Sequence, residues 1–461
     1  MTRDLASSGT GEEGGGTGGG TGGGTIGRGF IALLATANFG LSMALIVPMA
    51  YSLALRVDRL APGREETLGY ILGFGSVLAL VSGPVVGTLS DRTRSRLGRR
   101  TPYLIGGAAL GLAAVLVMAW APNVVVLGLG WGLASLGWGT ALGALLNVKA
   151  DRVPHRLRGK VAGLTGFTMQ IAPVVGVLMV GAVSGSGLLV FLLPGVVGAV
   201  LLVPFLLFAR EPDGRSRAVP DRLGAAGLLR SYLFSPRAHP DFAWNWLGRF
   251  AFFFGQSSST TYLTFLIAQR LEMPLADVAG IVAITGGISI VTTTAASLGG
   301  GFLSDRLGRR RPFVFAGAAI FAAGGLVLAF AGTLPVLLAG SALTTLGISL
   351  FTAVDQAIVM DVLPERETAA GRHMAINAFS QKVPGALAPL AAPALLAIGG
   401  GTEANYTALY AASALLALLG GSLVLWRVRE VGRDNSWQPV ATAPPPRRTF
   451  PSAASTRPED Q

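Results

Sequence analysis

The chain is 461 residues long, 51% hydrophobic and only 13% charged, with 65 glycines, a mean hydropathy of +0.57 and a net charge of +12. Ordinary soluble domains carry roughly 25% charged residues, so this mixture excludes one, and the absence of cysteine excludes a disulfide framework and a thiolate metal centre. Nucleic acid is not implied as a partner, because the basic residues sit in short loops between apolar runs and not on one soluble face.

In chain order, residues 1–25 are a Gly/Thr/Ser tract with no apolar core, expected to be disordered and not a cleavable leader, so the first membrane helix is expected to direct targeting. Twelve apolar runs follow, near 29–55, 69–90, 102–121, 123–149, 160–184, 187–209, 242–269, 277–303, 312–333, 335–361, 373–399 and 404–427. About 20 residues at 1.5 Å rise cross a hydrocarbon core, so each run is long enough to span as a helix. The expected fold is an all-α membrane protein of two six-helix bundles, 26–209 and 242–430. The basic, proline-broken segment 210–241 reads as the linker between them. The tail 431–461, with Pro444, Pro445 and Pro446 in succession, reads as disordered.

Charge alternates between the loops. Those after helices 2, 4, 6, 8 and 10 hold clusters such as Arg92 to Arg100 and Arg306 to Arg311, while the opposite loops hold only Arg56, Arg59, Arg64 and Arg270. The positive-inside rule then places both termini in the cytoplasm of a cell-membrane protein.

The loops also repeat. SDRTRSRLGRRTP (Ser90 to Pro102) after helix 2 returns as SDRLGRRRP (Ser304 to Pro312) after helix 8, with Asp91 and Asp305 214 residues apart. DRVPHRLRG from Asp151 is answered by DVLPERETAAG from Asp361. Two motifs recurring at nearly one offset indicate a duplication in which both halves keep the same orientation. A Gly-rich helix end followed by Asp-Arg and Gly-Arg-Arg resembles the signature loop of the major facilitator superfamily, over residues 26–430. The first copy, SDRTRSRLGRRTPYL, is similar to the loop of sucrose-proton symporters and of glycoside-pentoside-hexuronide cation symporters. The resemblance implies secondary transport by alternating access, a cavity lined by helices 1, 4, 7 and 10, and loop ion pairs that form in one state and break in the other. Asp91, Arg92, Arg99 and Arg100, with Asp305, Arg306, Arg309 and Arg310, are the expected gate, and Gly87 and Gly301 are expected to permit close helix approach beside it.

Of the 24 carboxylates, only Asp355 lies well inside an apolar run. A charge at the centre of a membrane helix costs about 2.5–3.5 kcal/mol on insertion scales and by default marks an ion pathway. Arg249 of helix 7 lies at a similar depth, roughly 10 Å from the same side, and is the expected partner, with Lys382 of helix 11 as the competing cation. The resembling symporters carry acidic residues in their N-terminal helices; helices 1, 2 and 4 here have none within their spans. Sodium coupling is therefore disfavoured, because hard cations want several oxygen ligands, and proton coupling through Asp355, or none, remains.

Asn38, Trp131, Trp138, Gln170, Gln256 and Tyr262 are the candidates for the substrate cavity. Trp131 and Trp138 are seven residues apart and hence on one helix face, and aromatic faces beside amides suit a sugar ring or an amphipathic drug. His155, His239 and His373 fall in cytoplasmic segments and no HExxH is present, which argues against an enzyme. The reading is a monomeric transporter without a cofactor, taking up a sugar or glycoside with a proton, the alternatives being efflux of an amphipathic solute and, behind it, a membrane-embedded enzyme or a channel.

Overall fold

The computed structural model describes residues 27–209, 211, 235–362, 370–399 and 404–429. The expected tails, 1–25 and 431–461, and most of the linker 210–241 lie outside the described residues. The first half comprises α1 (Arg28–Leu60), α2 (Glu66–Arg92), α3 (Thr101–Ala119), α4 (Val124–Arg152), α5 (Arg158–Gly181) and α6 (Leu189–Phe208). The second comprises α7 (Pro240–Thr261, continued as Leu263–Arg270), α8 (Ala279–Leu307), α9 (Arg311–Ala329), α10 (Leu334–Val362), α11 (Ala370–Leu396) and α12 (Tyr406–Arg427). Ten of these are long and apolar enough to cross a bilayer by length and composition alone. The two others are α7 and α11, which carry the polar residues discussed below.

Equivalent helices make equivalent contacts. Within the first half α3 packs on α4, α2 on α4, and α1 on α5 and α6; within the second α9 packs on α10, α8 on α10, and α7 on α11 and α12. Between halves the most extensive contacts are α2 with α11 and α5 with α8, which exchange under the same pseudo-two-fold. Glycines set the spacing. A Cβ on Gly107 of α3 would meet the Gly137 carbonyl at 2.7 Å, and one on Gly317 of α9 would meet the backbone N of Phe351 at 2.6 Å. Small residues let membrane helices approach where no hydrophobic effect drives them together.

The two ends of the molecule differ. At the end opposite the repeated loops, α1 contains a π-helical turn, Pro48–Ser52, a wide turn that suits the missing N–H of proline. It presents Tyr51, whose hydroxyl donates to the carbonyls of Leu275 (3.2 Å) and Ala276 (2.9 Å) in the other half. Thr264 Oγ1 donates to the Ala50 carbonyl at 2.7 Å, and Gly69 and Gly73 of α2 lie against Tyr262, Pro389 and Leu390. Among the described residues the hydrogen bonds that join the halves are all at this sealed end. At the loop-motif end a cavity of about 440 Å³ separates α2 and α4 from α11.

Candidate functional site

Each repeated loop folds into an ion-pair cluster inside its own half. Arg100, 5% exposed, is held by Asp91 at 2.6 Å, Asp151 at 3.2 Å and the Ser90 hydroxyl at 2.9 Å, and Arg99 bridges Asp151 at 2.6 Å. In the second half Arg310 bridges Asp305 at 3.1 Å and also Asp361. Burial alone would lower the Arg310 pKa, but the hydrogen bonds and charges of Asp361 and Asp305 outweigh it, and the value stands above the ordinary one. Asp151 and Asp361, 210 residues apart like Arg100 and Arg310, are members that the gate expectation left out, although the second repeat carried the signal. Glu211 was also not foreseen: its carboxylate accepts from the backbone N–H groups of Arg100 (2.8 Å) and Thr101 (3.0 Å), capping α3. Arg92 is half-buried at the end of α2, whereas Arg306 and Arg309 are exposed and form no ion pair with a described residue.

Gly87 and Gly301 require correction. A Cβ on either would meet open space, and Gly87 lines the cavity that separates α2 and α4 from α11. The close approach belongs to Gly300, which lies against Leu350 of α10, and to Gly69 and Gly73 at the sealed end.

Arg249 and Asp355 form an ion pair, 3% and 0% exposed, deep in the second half. Arg249 Nε donates to Ser380 Oγ of α11 at 2.9 Å, and the guanidinium lies over the Phe253 ring at 5.3 Å. Lys382 does not compete. It lies two residues beyond Ser380, about 200° round the helix, and lines the cavity between α2, α4 and α11 with Tyr103 and Asn147.

A second cavity, of about 490 Å³, lies between α5 of the first half and α7, α8 and α10 of the second, with Ala50 of α1 at its margin. Gln170 and Gln256 line it as expected, together with Ser259, Thr260, Thr285, Ser289, Thr293, Ser341, Thr344, Thr345 and Ser349, and no charged side chain does. The hydroxyls donate locally: Thr285 to the Val282 carbonyl at 2.8 Å, Ser289 to Thr285 at 2.8 Å, Thr345 to Ser341 at 2.9 Å, and Ser349 to Thr293 Oγ1 at 2.9 Å. A hydroxyl has one donor and two acceptor lone pairs, so these groups keep acceptor capacity for a guest. Sequence reasoning missed the stripes Thr285, Ser289, Thr293 on α8 and Ser341, Thr345, Ser349 on α10. Their spacing of four residues, one helix face, was the available signal.

The remaining candidates lie elsewhere. Trp131 and Trp138 are buried in the first half, Trp138 against Gly111 of α3 and Trp131 beside Gly75 of α2, so they fill the bundle core and not the cavity. Accordingly α5 and α8, and not α4, complete the cavity wall. Asn38 ties α1 to α5, donating to the Thr165 carbonyl and Thr168 Oγ1, both at 2.9 Å. Tyr262 is fully buried at the sealed end, where α7 breaks. The hydroxyls of Ser258, Ser259, Thr260 and Thr261 all donate back into the preceding turn, a pattern that weakens helices. His373, expected in a cytoplasmic segment, is inside α11 and 3% exposed.

The family model described as Major Facilitator Superfamily matches residues 28–299 and 288–457. The chain is 34% identical over 77 residues to the General alpha-glucoside permease of Schizosaccharomyces pombe, covering 17% of this chain and 12% of that protein. It is 33% identical over 93 residues to Solute carrier family 45 member 3 of Mus musculus, covering 20% of this chain and 16% of that protein. These matches therefore span under a fifth of each relative. Among solved structures, a mutant of the nucleoside transporter NupG aligns with a TM-score of 0.71 at 13% identity, over 87% of this chain and 100% of that one. A bacterial homolog of the lysosomal transporter Spinster, inward-facing and unoccupied, aligns with a TM-score of 0.59 at 15% identity, over 86% and 93%. These two likenesses speak to the fold.

Proposed function

The chain belongs to the Major Facilitator Superfamily, and from that premise we propose that this multi-pass membrane transporter carries a sugar or glycoside inward together with a proton. The observation that supports the substrate class is the cavity between α5 and α7, α8 and α10, uncharged and rich in hydroxyl acceptors. A polyol offers many O–H donors and no charge. A charged solute would leave its ion uncompensated there, at a cost of several kcal/mol. The fission-yeast relative, named an alpha-glucoside permease, supports the same class.

The Arg249–Asp355 pair serves as the coupling element. Asp355 lies six residues beyond Ser349 on α10 and Arg249 seven before Gln256 on α7, about 10 Å from the cavity along both helices. Protonation of Asp355 cancels its attraction for Arg249, which keeps Ser380 as its partner. The two helices that change partners carry the cavity walls, so proton and substrate occupancy are linked through them. With the basic loops and both termini cytoplasmic, the sealed end faces outward, the parted end inward, and the ion-pair clusters serve as the cytoplasmic gate.

Proteoliposomes exposed to sucrose, maltose, uridine and a hydrophobic cation test the proposal. A saturable inward current with a sugar that Asp355→Asn abolishes is the expected result. A response to the hydrophobic cation alone replaces uptake by efflux.

A further inference from the structure

The seam between α7 and α11 buries more polar groups than the ion pair needs. Its register is set by Trp246 Nε1, which donates to the Ile376 carbonyl at 3.0 Å, and by the Arg249 to Ser380 bond. One turn nearer the loop-motif end, the Phe242 and His373 rings meet at 5.9 Å, and His239 lies 6.2 Å from His373. Between these levels lie Asn245 of α7, 1% exposed, and Asn377 of α11, 7% exposed. Phe242, Asn245 and Arg249 share one face of α7, and His373, Asn377 and Ser380 one face of α11. Both amide atoms of Asn245 and Oδ1 of Asn377 have no hydrogen-bond partner among the described residues. Buried amides are normally satisfied by protein or by water, and two on facing helices, between a histidine and a carboxylate, suit a short water file.

We propose that His239, His373, Asn377 and Asn245 form the route by which a proton passes between the loop-motif end and Asp355, inside the second half and apart from the substrate cavity. The proposal rests on Asp355 being the proton carrier. In the step, the His373 imidazolium releases its proton to water held by Asn377 and Asn245. The proton passes along that water to an Asp355 oxygen, giving a neutral carboxylic acid. His373 becomes neutral and is reprotonated through His239, which is half-buried at the start of α7. Arg249 keeps its proton throughout. The charged and titratable groups around the route are Arg249 against Asp355, His239 against His373, Asp241, which accepts from the Arg429 backbone N–H, and Asp361, held by Arg310. Lys382 of α11 lines the other cavity.

The proton itself is the probe. In purified full-length protein, the carboxylic C=O stretch of Asp355, identified by its loss in Asp355→Asn, is followed by infrared spectroscopy after a pH jump. Asn377→Leu and His373→Phe are expected to slow its appearance by roughly 100-fold, the scale of a lost proton-transfer group. The final amplitude should be unchanged, and Asn377→Ser should stay near the wild-type rate. Wild-type rates in both variants that fold, or a change in the final amplitude along with the rate, overturn the route while leaving proton coupling in place. Should Asn377→Leu not fold, His373→Phe alone decides. If no Asp355 band titrates in the wild type, the coupling reading and the route fall together.

Discussion

The two halves share a scaffold and a loop cluster but bury different things. In the first half the largest buried side chains within the spans are apolar or aromatic: Trp131, Trp138 and Phe191 fill the space between helices, Asn38 is bound to α5, and Gln170 lines the cavity between the halves. In the second half Phe252 and Phe351 stack at 3.7 Å between ring centroids. That half also buries the Arg249–Asp355 pair and the Asn245 and Asn377 amides, whose Asn245 atoms and Asn377 Oδ1 have no hydrogen-bond partner among the described residues, and it supplies the serines and threonines of the cavity between the halves. Helix positions after a duplication are held by small residues at the crossings, which are retained in both copies. Side chains away from the crossings are free to diverge, so the buried ion pair and the amide cluster occur in one copy and not in the other among the described residues.

Removing one member of the ion pair should break this asymmetry most severely. Arg249→Ala leaves Asp355 buried without a partner and is expected to destabilise by about 3–5 kcal/mol. The double variant Arg249→Met with Asp355→Leu should be closer to wild type. Thermal unfolding in detergent measures both, and a double variant worse than the single would mean that the pair holds the half together instead of coupling it.

The loop clusters sharpen the comparison at smaller scale. The Arg100 side chain is 6% exposed, whereas the Arg310 side chain is 29% exposed and its carboxylates, Asp305 and Asp361, are 64% and 36% exposed. Arg100→Gln should therefore cost about 1–3 kcal/mol, and Arg310→Gln less than about 1 kcal/mol, the range of exposed pairs. Equal losses in melting experiments would show that the clusters act alike despite their burial.

Among the smallest expected effects is that of Trp138→Phe. Phenylalanine keeps an aromatic ring at this buried position and the indole N–H has no hydrogen-bond partner among the described residues to lose, so the change should cost about 1 kcal/mol, the scale of a small buried truncation, and leave uptake kinetics unaltered. A raised KM would return Trp138 to the cavity. The parted and sealed ends are separable because the chain has no cysteine. Cysteines at Ala50 and Thr264 should crosslink readily, and ones at Gly87 and Gly301 should not.

Twelve helices, their pairing into two like-oriented halves and the pairing of Asp355 with Arg249 were legible in the sequence. Spans follow from the length and hydropathy of each run, the halves from the repeated loops, and a carboxylate inside an apolar run is conspicuous wherever it occurs. What only the tertiary structure decided was the rotation of each helix about its axis. It turned Trp131 and Trp138 into core, placed Tyr262 in the seal, sent Lys382 away from Asp355, opened Gly87 and Gly301 to empty space and buried His373. In a soluble protein one apolar stripe reveals which face turns inward. In a bilayer both faces are apolar, because lipid and protein neighbours are equally greasy, and side-chain chemistry alone leaves the inward face undetermined until neighbouring helices are in place.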